Sequence, residues 1–194
     1  MSALMCGGGI GVTYGDLRGE GAEIKGTGGV SSGPMALMAA INEIGRNVKQ
    51  GGSRRSAMFA GLPWSHPDIQ AFIQAKIRTQ QQRDWKANDY NFPLPFDMTN
   101  MSLGIDNQLL HQHKQTGWVP WVFRDAVHLA CQYGEPGFTF DFAENALWTQ
   151  RNACGEFISD QDYDVCNLGS VNIAACRNLD EFCDAVYDGT LFLM

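Results

Sequence analysis

The sequence predicts an α/β fold from two observations. Short apolar segments of strand length alternate along the chain with segments whose apolar residues repeat at helical spacing. Hydrophobic residues make up 44% of the 194 residues and charged residues 18%, so the chain can build a core and has little disordered character. This length suits one domain or a piece of a larger one.

The first part of the chain contains two glycine loops, two predicted strands and a helix. Residues 6–12 form a glycine loop that runs into a short strand, and a second glycine loop follows over residues 15–33. A helix is then predicted from Pro34, which suits a first turn, to Gly51-Gly52, where it should end. Its apolar residues recur at helical spacing: Leu37, Met38, Ile41, Ile44 and Val48. Residues 57–62 are predicted to form a buried strand.

The middle of the chain should contain a second helix and a polar segment. Ser65 is the expected N-cap of this helix, with Pro67 and Asp68 in its first turn. Residues 77–88 are polar, which favours an exposed helix end and a loop. Residues 91–96 contain two prolines, which exclude a regular helix and predict an extended segment.

The remaining predicted elements are two strands and a helix. The strands are expected over residues 98–105 and 137–140, and the helix over residues 118–133. Three residues of this helix are expected to face the core: Trp121, Phe123 and Val127. A loop is predicted after Asn152.

The charge and the apolar runs of the chain exclude two classes of partner. The formal net charge is −7 and the pI about 4.9, which argues against a general nucleic-acid binder because such proteins need a basic surface. Nucleotide binding remains possible, since a few local N–H groups can hold a phosphate. No apolar run approaches the length of a membrane span, and the N-terminus lacks the basic region of a signal peptide.

The six cysteines follow no disulfide or metal pattern. They stand at positions 6, 131, 154, 166, 176 and 183, without a C-x-x-C pair or a zinc-type spacing. The chain is also not cysteine-dense enough for a secreted disulfide scaffold. We therefore expect thiols in a reducing cytoplasm and no metal site.

The segment Asn152-Ala153-Cys154-Gly155-Glu156 combines three groups able to do chemistry. In an extended segment, residues two apart share a face, so Asn152, Cys154 and Glu156 would point the same way. A thiol can be oxidised to a radical, a carboxylate can act as a general base, and an amide can hold a hydroxyl. Taken alone, however, the pattern favours a structural cysteine, since most free cysteines are inert packing residues.

Several segments taken together favour a chemical role for Cys154 over a structural one. Their order and spacing are specific, although each is weak alone: residues 6–12, 25–34, 48–55, 66–69, 97–102, 134–137, 152–156 and 166–172. This ordered set resembles the large subunit of ribonucleotide reductases over about residues 6–173. It resembles most the dimeric class that depends on adenosylcobalamin.

The resemblance implies a role for each residue of the central segment. Cys154 matches the cysteine whose thiyl radical takes the 3′ hydrogen of the ribose. Glu156 matches the base that deprotonates the 3′ hydroxyl as the 2′ hydroxyl leaves as water, and Asn152 the residue that holds the substrate hydroxyls. Cys166 matches the second cysteine of the pair that reduces the sugar and becomes a disulfide, and the first cysteine of that pair should precede this chain.

The two glycine loops match two nucleotide sites of the family. Gly8 and Gly9 match backbone that lies against the substrate, where a side chain would block close approach. Residues 15–26 resemble the first specificity loop, in which Arg18 and Ile24 match contacts to the phosphate and base of a regulatory deoxynucleotide or ATP. Residues 89–97 fall where the second specificity loop is expected.

The resemblance also implies the architecture and partners. The family fold is a ten-stranded α/β barrel, of which residues 1–194 would form the first half-barrel and the finger loop, as a fragment of a single catalytic domain truncated at both ends. An incomplete barrel exposes strand edges, so we expect the fragment alone to be poorly soluble and inactive. The full-length protein is expected to form a homodimer and to be reduced by thioredoxin, glutaredoxin or another dithiol.

Two alternatives remain open. The chain could belong to the class I reductases, whose large subunit receives its radical from a metal-containing small subunit, and the substrate could be a diphosphate or a triphosphate. The chain could also be a nucleotide-binding module without chemistry. Mutation of Cys154 distinguishes the binding-module hypothesis from the others, because nucleotide binding alone should survive the loss of the thiol.

Overall fold

The computed structural model describes Met5 and residues 8–26, 28–48, 56–142, 151–158 and 167–194. The chain divides into two compact units, Met1–Asp160 and Gln161–Met194. Three predictions concern residues outside the described ranges: the glycine loop at Cys6, the helix end at Gly51-Gly52 and the reducing cysteine Cys166.

A parallel sheet forms the centre of the first unit. Its strands are β1 (Ile10–Thr13), β2 (Met58–Pro63), β3 (Thr99–Asp106) and β4 (Gly137–Asp141), hydrogen-bonded in the order β1-β2-β3-β4. Parallel neighbours need a long crossover between them, and the intervening helices supply it. The α/β prediction is confirmed, as are the four predicted strands.

The helices lie between and after the strands. In the described part of the first unit they are α1 (Gly33–Asn47), α2 (Ile69–Gln74), α3 (Gln80–Asn88), α4 (Asn107–Thr116) and α5 (Trp121–Tyr133). The second unit contains a 3-10 turn, Ile173–Ala175, and α6 (Leu179–Leu193). The sequence reading did not predict α4 or α6. No described helix has the length and apolar character needed to cross a membrane.

The two faces of the sheet differ in chemistry. Alternate strand residues point to opposite faces. One set, which includes Ala60, Leu62, Met101 and Leu103, is buried in the core with the helices. The opposite face, called the inner face here, carries Phe59 and Pro63 among otherwise small and polar residues: Gly11, Thr13, Gly61, Asn100, Ser102, Gly104, Asp106, Gly137, Thr139 and Asp141.

Helix α1 buries only part of the apolar set recognised in the sequence, since Met38 lies in the core and Ile41 packs against it. It ends at Asn47, and its buried residues include Met38, Asn42 and Gly45, whereas Leu37 and Ile44 are 46% and 42% exposed. Asn42 selects this face, because its Oδ1 accepts hydrogen bonds from the Met98 N–H and the Thr99 hydroxyl, both at 3.0 Å. Buried polar groups need such partners, so these bonds favour the rotation of α1 that places Asn42 inward.

Helices α2 and α3 also depart from the sequence prediction. Helix α2 begins at Ile69 with Asp68 at the N-cap position, so Ser65 is not its cap. Residues 80–88, predicted as a helix end and loop, form the separate helix α3. Its start is fixed by a capping box, in which Thr79 and Gln82 each accept the other's backbone N–H.

The last differences concern α5 and the proline segment. The buried residues of α5 are Val122, Ala126 and Leu129. Trp121 and Val127 are 46% and 38% exposed, and Phe123 packs against the core. Residues 91–96 are not a single extended segment, because the chain turns at residues 95–98.

A buried carboxylate joins α1, α3 and the proline segment. Asp97 is 9% exposed at its side chain and accepts hydrogen bonds from Arg46 (2.6 Å), Lys86 (3.0 Å) and the Leu94 N–H (3.3 Å). Burial alone would raise the pKa of the Asp97 carboxyl, but the hydrogen bonds from Arg46 and Lys86 outweigh burial and hold it below its usual range.

We expect the substitution Asp97→Asn to lower the free energy of unfolding by about 2 kcal/mol at pH 7, a value reduced by the partial exposure of the two cations. Because the folded pKa is lowered, this stabilisation is present above the unfolded pKa of about 3.9 and is lost as the pH falls through the folded value. Urea unfolding of both proteins at a series of pH values measures the difference. It should be constant down to about pH 4 and shrink below it; a difference that grows on acidification would contradict the assignment.

Candidate functional site

Residues 152–157 form a closed turn rather than the extended segment considered from the sequence. The backbone N–H of Asn152 donates to the carbonyl of Phe157 at 3.2 Å, and the N–H of Gly155 donates to the carbonyl of Asn152 at 3.1 Å. The side-chain Oδ1 of Asn152 accepts from Gly155 (2.9 Å) and Phe157 (3.2 Å). Gly155 has φ of 87°, a left-handed conformation that favours glycine.

The turn holds the amide and the carboxylate together with the cysteine between them. The Nδ2 of Asn152 donates to Oε1 of Glu156 at 3.0 Å. Cys154 and Glu156 are both exposed, whereas Ala153 beside them is buried. The three residues singled out from the sequence therefore lie on one turn, which presents a thiol and a carboxylate that a second molecule can reach.

Two glycines, one in β1 and one just before it, allow the turn to lie directly on the inner face. A Cβ on Gly11 would lie 1.6 Å from the carbonyl O of Arg151, and a Cβ on Gly9 would lie 2.2 Å from Cβ of Ala153. Any side chain at these positions would displace the turn. The sequence assigned Gly8 and Gly9 to substrate contact; both are exposed, and Gly9 also lies against the turn. Sequence reasoning missed Gly11 as a site residue.

Two further contacts anchor the turn to the sheet. The Nδ2 of Asn100 donates to the Ala153 carbonyl at 2.8 Å. At the start of the turn, Arg151 pairs with Asp141 at 3.0 Å, with the two side chains 10% and 13% exposed. Burial raises the pKa of the Asp141 carboxyl, and the Arg151 guanidinium opposes that rise without cancelling it. These partners come from β3 and β4, and no spacing in the sequence signals them.

A cavity of about 240 Å³ opens on the inner face at the carboxyl ends of the strands. Its lining includes Thr13, Asp16, Asp106, Thr139 and Asp141. Asp141, which holds Arg151, thus borders this cavity. The carboxylates give this part of the inner face an acidic character.

The loop at residues 15–33 is tied to the start of α2. The buried ring of His66 has its Nε2 2.9 Å from the Leu17 carbonyl, while its Nδ1 accepts from the Asp68 N–H at 3.0 Å, so the proton is assigned to Nε2. The Asp68 carboxylate accepts the Glu20 N–H at 2.9 Å. Sequence reasoning assigned no role to His66 in this loop.

Arg18 and Ile24, the predicted effector residues, lie on this loop. The Arg18 side chain is exposed, and its carbonyl accepts from the Ser31 hydroxyl at 3.2 Å. The N–H of Ile24 donates to the Gly29 carbonyl at 2.8 Å. The loop is therefore held by its own hydrogen bonds while Arg18 remains accessible.

The chain matches the family described as ribonucleotide reductase, barrel domain, over residues 1–117. It is 30% identical over 185 residues to a vitamin B12-dependent ribonucleoside-diphosphate reductase of Mycobacterium tuberculosis, covering 87% of this chain and 26% of that protein. It is 27% identical over 217 residues to the protein of the same name in Thermoplasma acidophilum, covering 96% of this chain and 26% of the relative.

The chain is also similar to a reductase subunit whose name does not mention vitamin B12. The ribonucleoside-diphosphate reductase subunit alpha of Chlamydia pneumoniae is 26% identical over 212 residues, covering 86% of this chain and 20% of that subunit. The chain thus spans about a quarter or less of the length of these relatives. The parallel four-stranded sheet is consistent with part of a barrel, and the family match covers more than half of the residues. The chain belongs to the ribonucleotide reductase barrel-domain family.

Proposed function

We propose that this chain carries the radical-bearing turn of a ribonucleotide reductase, an oxidoreductase that converts ribonucleotides to deoxyribonucleotides for DNA synthesis. The observation that supports it best is the turn itself. Cys154 is exposed on a turn that Asn152 closes, and Asn152 also holds the carboxylate of Glu156. Family membership makes a ribonucleotide the substrate class to test at this turn.

Each residue of the turn has a proposed task. A thiyl radical on Cys154 takes the hydrogen atom from C3′ of the ribose, so that the S–H bond forms as the C–H bond breaks. Glu156 accepts the proton of the 3′ hydroxyl, while the 2′ hydroxyl takes a proton from a thiol of the reducing pair and leaves as water. Asn152 supplies hydrogen bonds to the hydroxyls. The hydrogen bond from Asn152 to Glu156 supports these roles, because it keeps the carboxylate oriented.

Two thiols provide the electrons for the reduction. Cys166 is proposed as one of this pair, and a second cysteine of the full-length protein as the other. The overall change converts a ribonucleotide and two thiols into a deoxyribonucleotide, a disulfide and water. A thioredoxin, a glutaredoxin or a small dithiol then reduces the disulfide, which fits a reducing cytoplasm.

The proposed radical source is adenosylcobalamin, as the names of several relatives suggest. This cofactor supplies a carbon-centred radical that can take the hydrogen atom of a thiol. The exposure of Cys154 fits such an encounter, because the thiol lies at the surface of the described turn. In the described ranges no three His, Cys, Asp or Glu residues form a group suited to a metal ion.

Residues 15–26, the first part of the loop at residues 15–33, are proposed to bind a regulatory nucleotide, a deoxynucleoside triphosphate or ATP, in a homodimer of the full-length protein. Arg18 would contact the phosphates and Ile24 the base. The guanidinium of an exposed arginine suits phosphate. The hydrogen bonds of His66 and Asp68 to the loop support this role, because they position the loop without using the Arg18 side chain.

The test is a reductase assay on the protein expressed from its complete reading frame. Ribonucleotide, adenosylcobalamin and dithiothreitol should yield deoxyribonucleotide, without any second subunit and both with and without air. Turnover only after a metal-loaded small subunit is added would place the protein in the class I reductases and keep the same turn. Nucleotide binding without turnover under all conditions would leave the binding-module alternative.

A further inference from the structure

We infer that Asn100 is a positioning residue for Cys154, an inference that rests on the proposed function. Asn100 is the second residue of β3, and its side chain lies on the inner face of the sheet. The Nδ2 of Asn100 donates to the Ala153 carbonyl at 2.8 Å. That carbonyl belongs to the peptide unit that enters Cys154, so this one hydrogen bond orients the backbone from which the thiol projects.

The strand register shows that Asn100 belongs to a row of three residues. Gly11 in β1 is opposite Phe59 in β2, and Phe59 is opposite Asn100 in β3. Each member of the row meets the turn in a different way. Gly11 admits the Arg151 carbonyl, Phe59 lies under Gly155, whose Cβ would be 2.7 Å from the ring, and Asn100 supplies the hydrogen bond.

Within this row, Asn100 is the residue that fixes the orientation of the turn. Gly11 and Phe59 limit how closely the turn approaches the sheet, whereas a hydrogen bond also fixes an orientation. Ala153 is 7% exposed, and the Asn100 amide supplies the hydrogen-bond donor for its carbonyl. Hydrogen-atom transfer needs reacting atoms in near contact, and a misplacement of about 1 Å can cost about 10²-fold in rate.

The test substitutes Asn100→Asp, which keeps the shape of the side chain but replaces the donor with a carboxylate that repels the Ala153 carbonyl. In the full-length protein we expect kcat to fall by about 10²-fold with KM unchanged, because the thiol is misplaced while the substrate site is retained. Hydrogen exchange of the amides in residues 151–158 should become faster. A purely structural role would change stability without this split between kcat and KM.

Asn107→Asp is the matched control. The Nδ2 of Asn107 also donates to a backbone carbonyl, that of Phe142 at 3.1 Å, but this bond lies outside the turn. Asn107 is the first residue of α4, where a carboxylate is tolerated by the helix dipole. This variant should keep the wild-type kcat and the wild-type exchange of residues 151–158.

The outcomes separate this inference from the proposed function. Wild-type kcat and exchange in Asn100→Asp would overturn the inference, as would equal losses in Asn107→Asp. If Asn100→Asp fails to fold, Asn100→Ala removes the donor without adding charge and is judged by the same criteria. If the wild-type protein has no turnover that depends on Cys154, the proposed function fails, and the exchange of residues 151–158 still decides whether Asn100 anchors the turn.

Discussion

Substitution of Cys154 by alanine should lower deoxyribonucleotide formation by about 10⁴-fold or more, the size of loss expected when a reacting group is removed. Alanine cannot carry the radical or return a hydrogen atom to the sugar. The fold should be preserved, because the Cys154 side chain is exposed and the hydrogen bonds that close the turn come from Asn152. Product is measured by chromatography in the assay with adenosylcobalamin and dithiothreitol.

Cys131→Ala provides the control for this substitution. Cys131 is also an exposed cysteine, but it lies on α5, away from the turn. This variant should turn over at the wild-type rate. Nucleotide affinity should be the same in both variants, since the thiol is proposed to react and not to bind. If Cys154→Ala retained a tenth of the wild-type rate, the assignment of Cys154 as the radical residue would be wrong.

Gly11→Ala should produce the second largest effect, a loss of about 10²-fold or more in kcat. The added Cβ would lie 1.6 Å from the Arg151 carbonyl O and 2.7 Å from its carbonyl carbon, so the turn or the strand must move. These atoms belong to the backbone, which has no rotamer to relieve the clash. The cost in folding stability should be about 1–3 kcal/mol, which thermal unfolding measures beside the rate.

The matched control is Gly137→Ala. Gly137 also lies in a strand of the inner face, but its Cβ would meet the Ser102 hydroxyl at 2.8 Å, and that hydroxyl can rotate away. Activity near the wild-type level is expected for this variant. If Gly11→Ala were as active as Gly137→Ala, the turn would not lie against β1 in the active protein.

The strands were predictable because their signal is local. Each is a short apolar segment bounded by glycine, proline or polar residues, and burial on the helix-covered face requires that pattern wherever the strand sits in the sheet. The buried strand predicted at residues 57–62 is Met58–Pro63, and the one predicted at residues 98–105 is Thr99–Asp106. Helices of polar composition, such as α3 and α4, lack this signal and were missed.

The choice of buried helix face depended on partners far away in the sequence. The apolar stripe of α1 is only partly buried: Met38 lies in the core, whereas Leu37 and Ile44 are exposed. The adjacent stripe with Asn42 faces inward, where Asn42 accepts hydrogen bonds from Met98 and Thr99. In α5, likewise, the small Ala126 is fully buried while Trp121 remains half exposed. Periodicity predicts that a helix has an apolar face; the neighbouring elements decide which face packs.

By itself, the sequence determined the α/β class, the four strands and the identity of the groups in Asn152, Cys154 and Glu156. These depend on residue type and on spacing within a short segment. Only the tertiary structure decided that the segment is a turn, that Gly11, Phe59 and Asn100 form one row beneath it, and that Asp141 holds Arg151 at its start. The physical reason is that strand register brings together residues tens of positions apart, and a contact set by register leaves no trace in local composition.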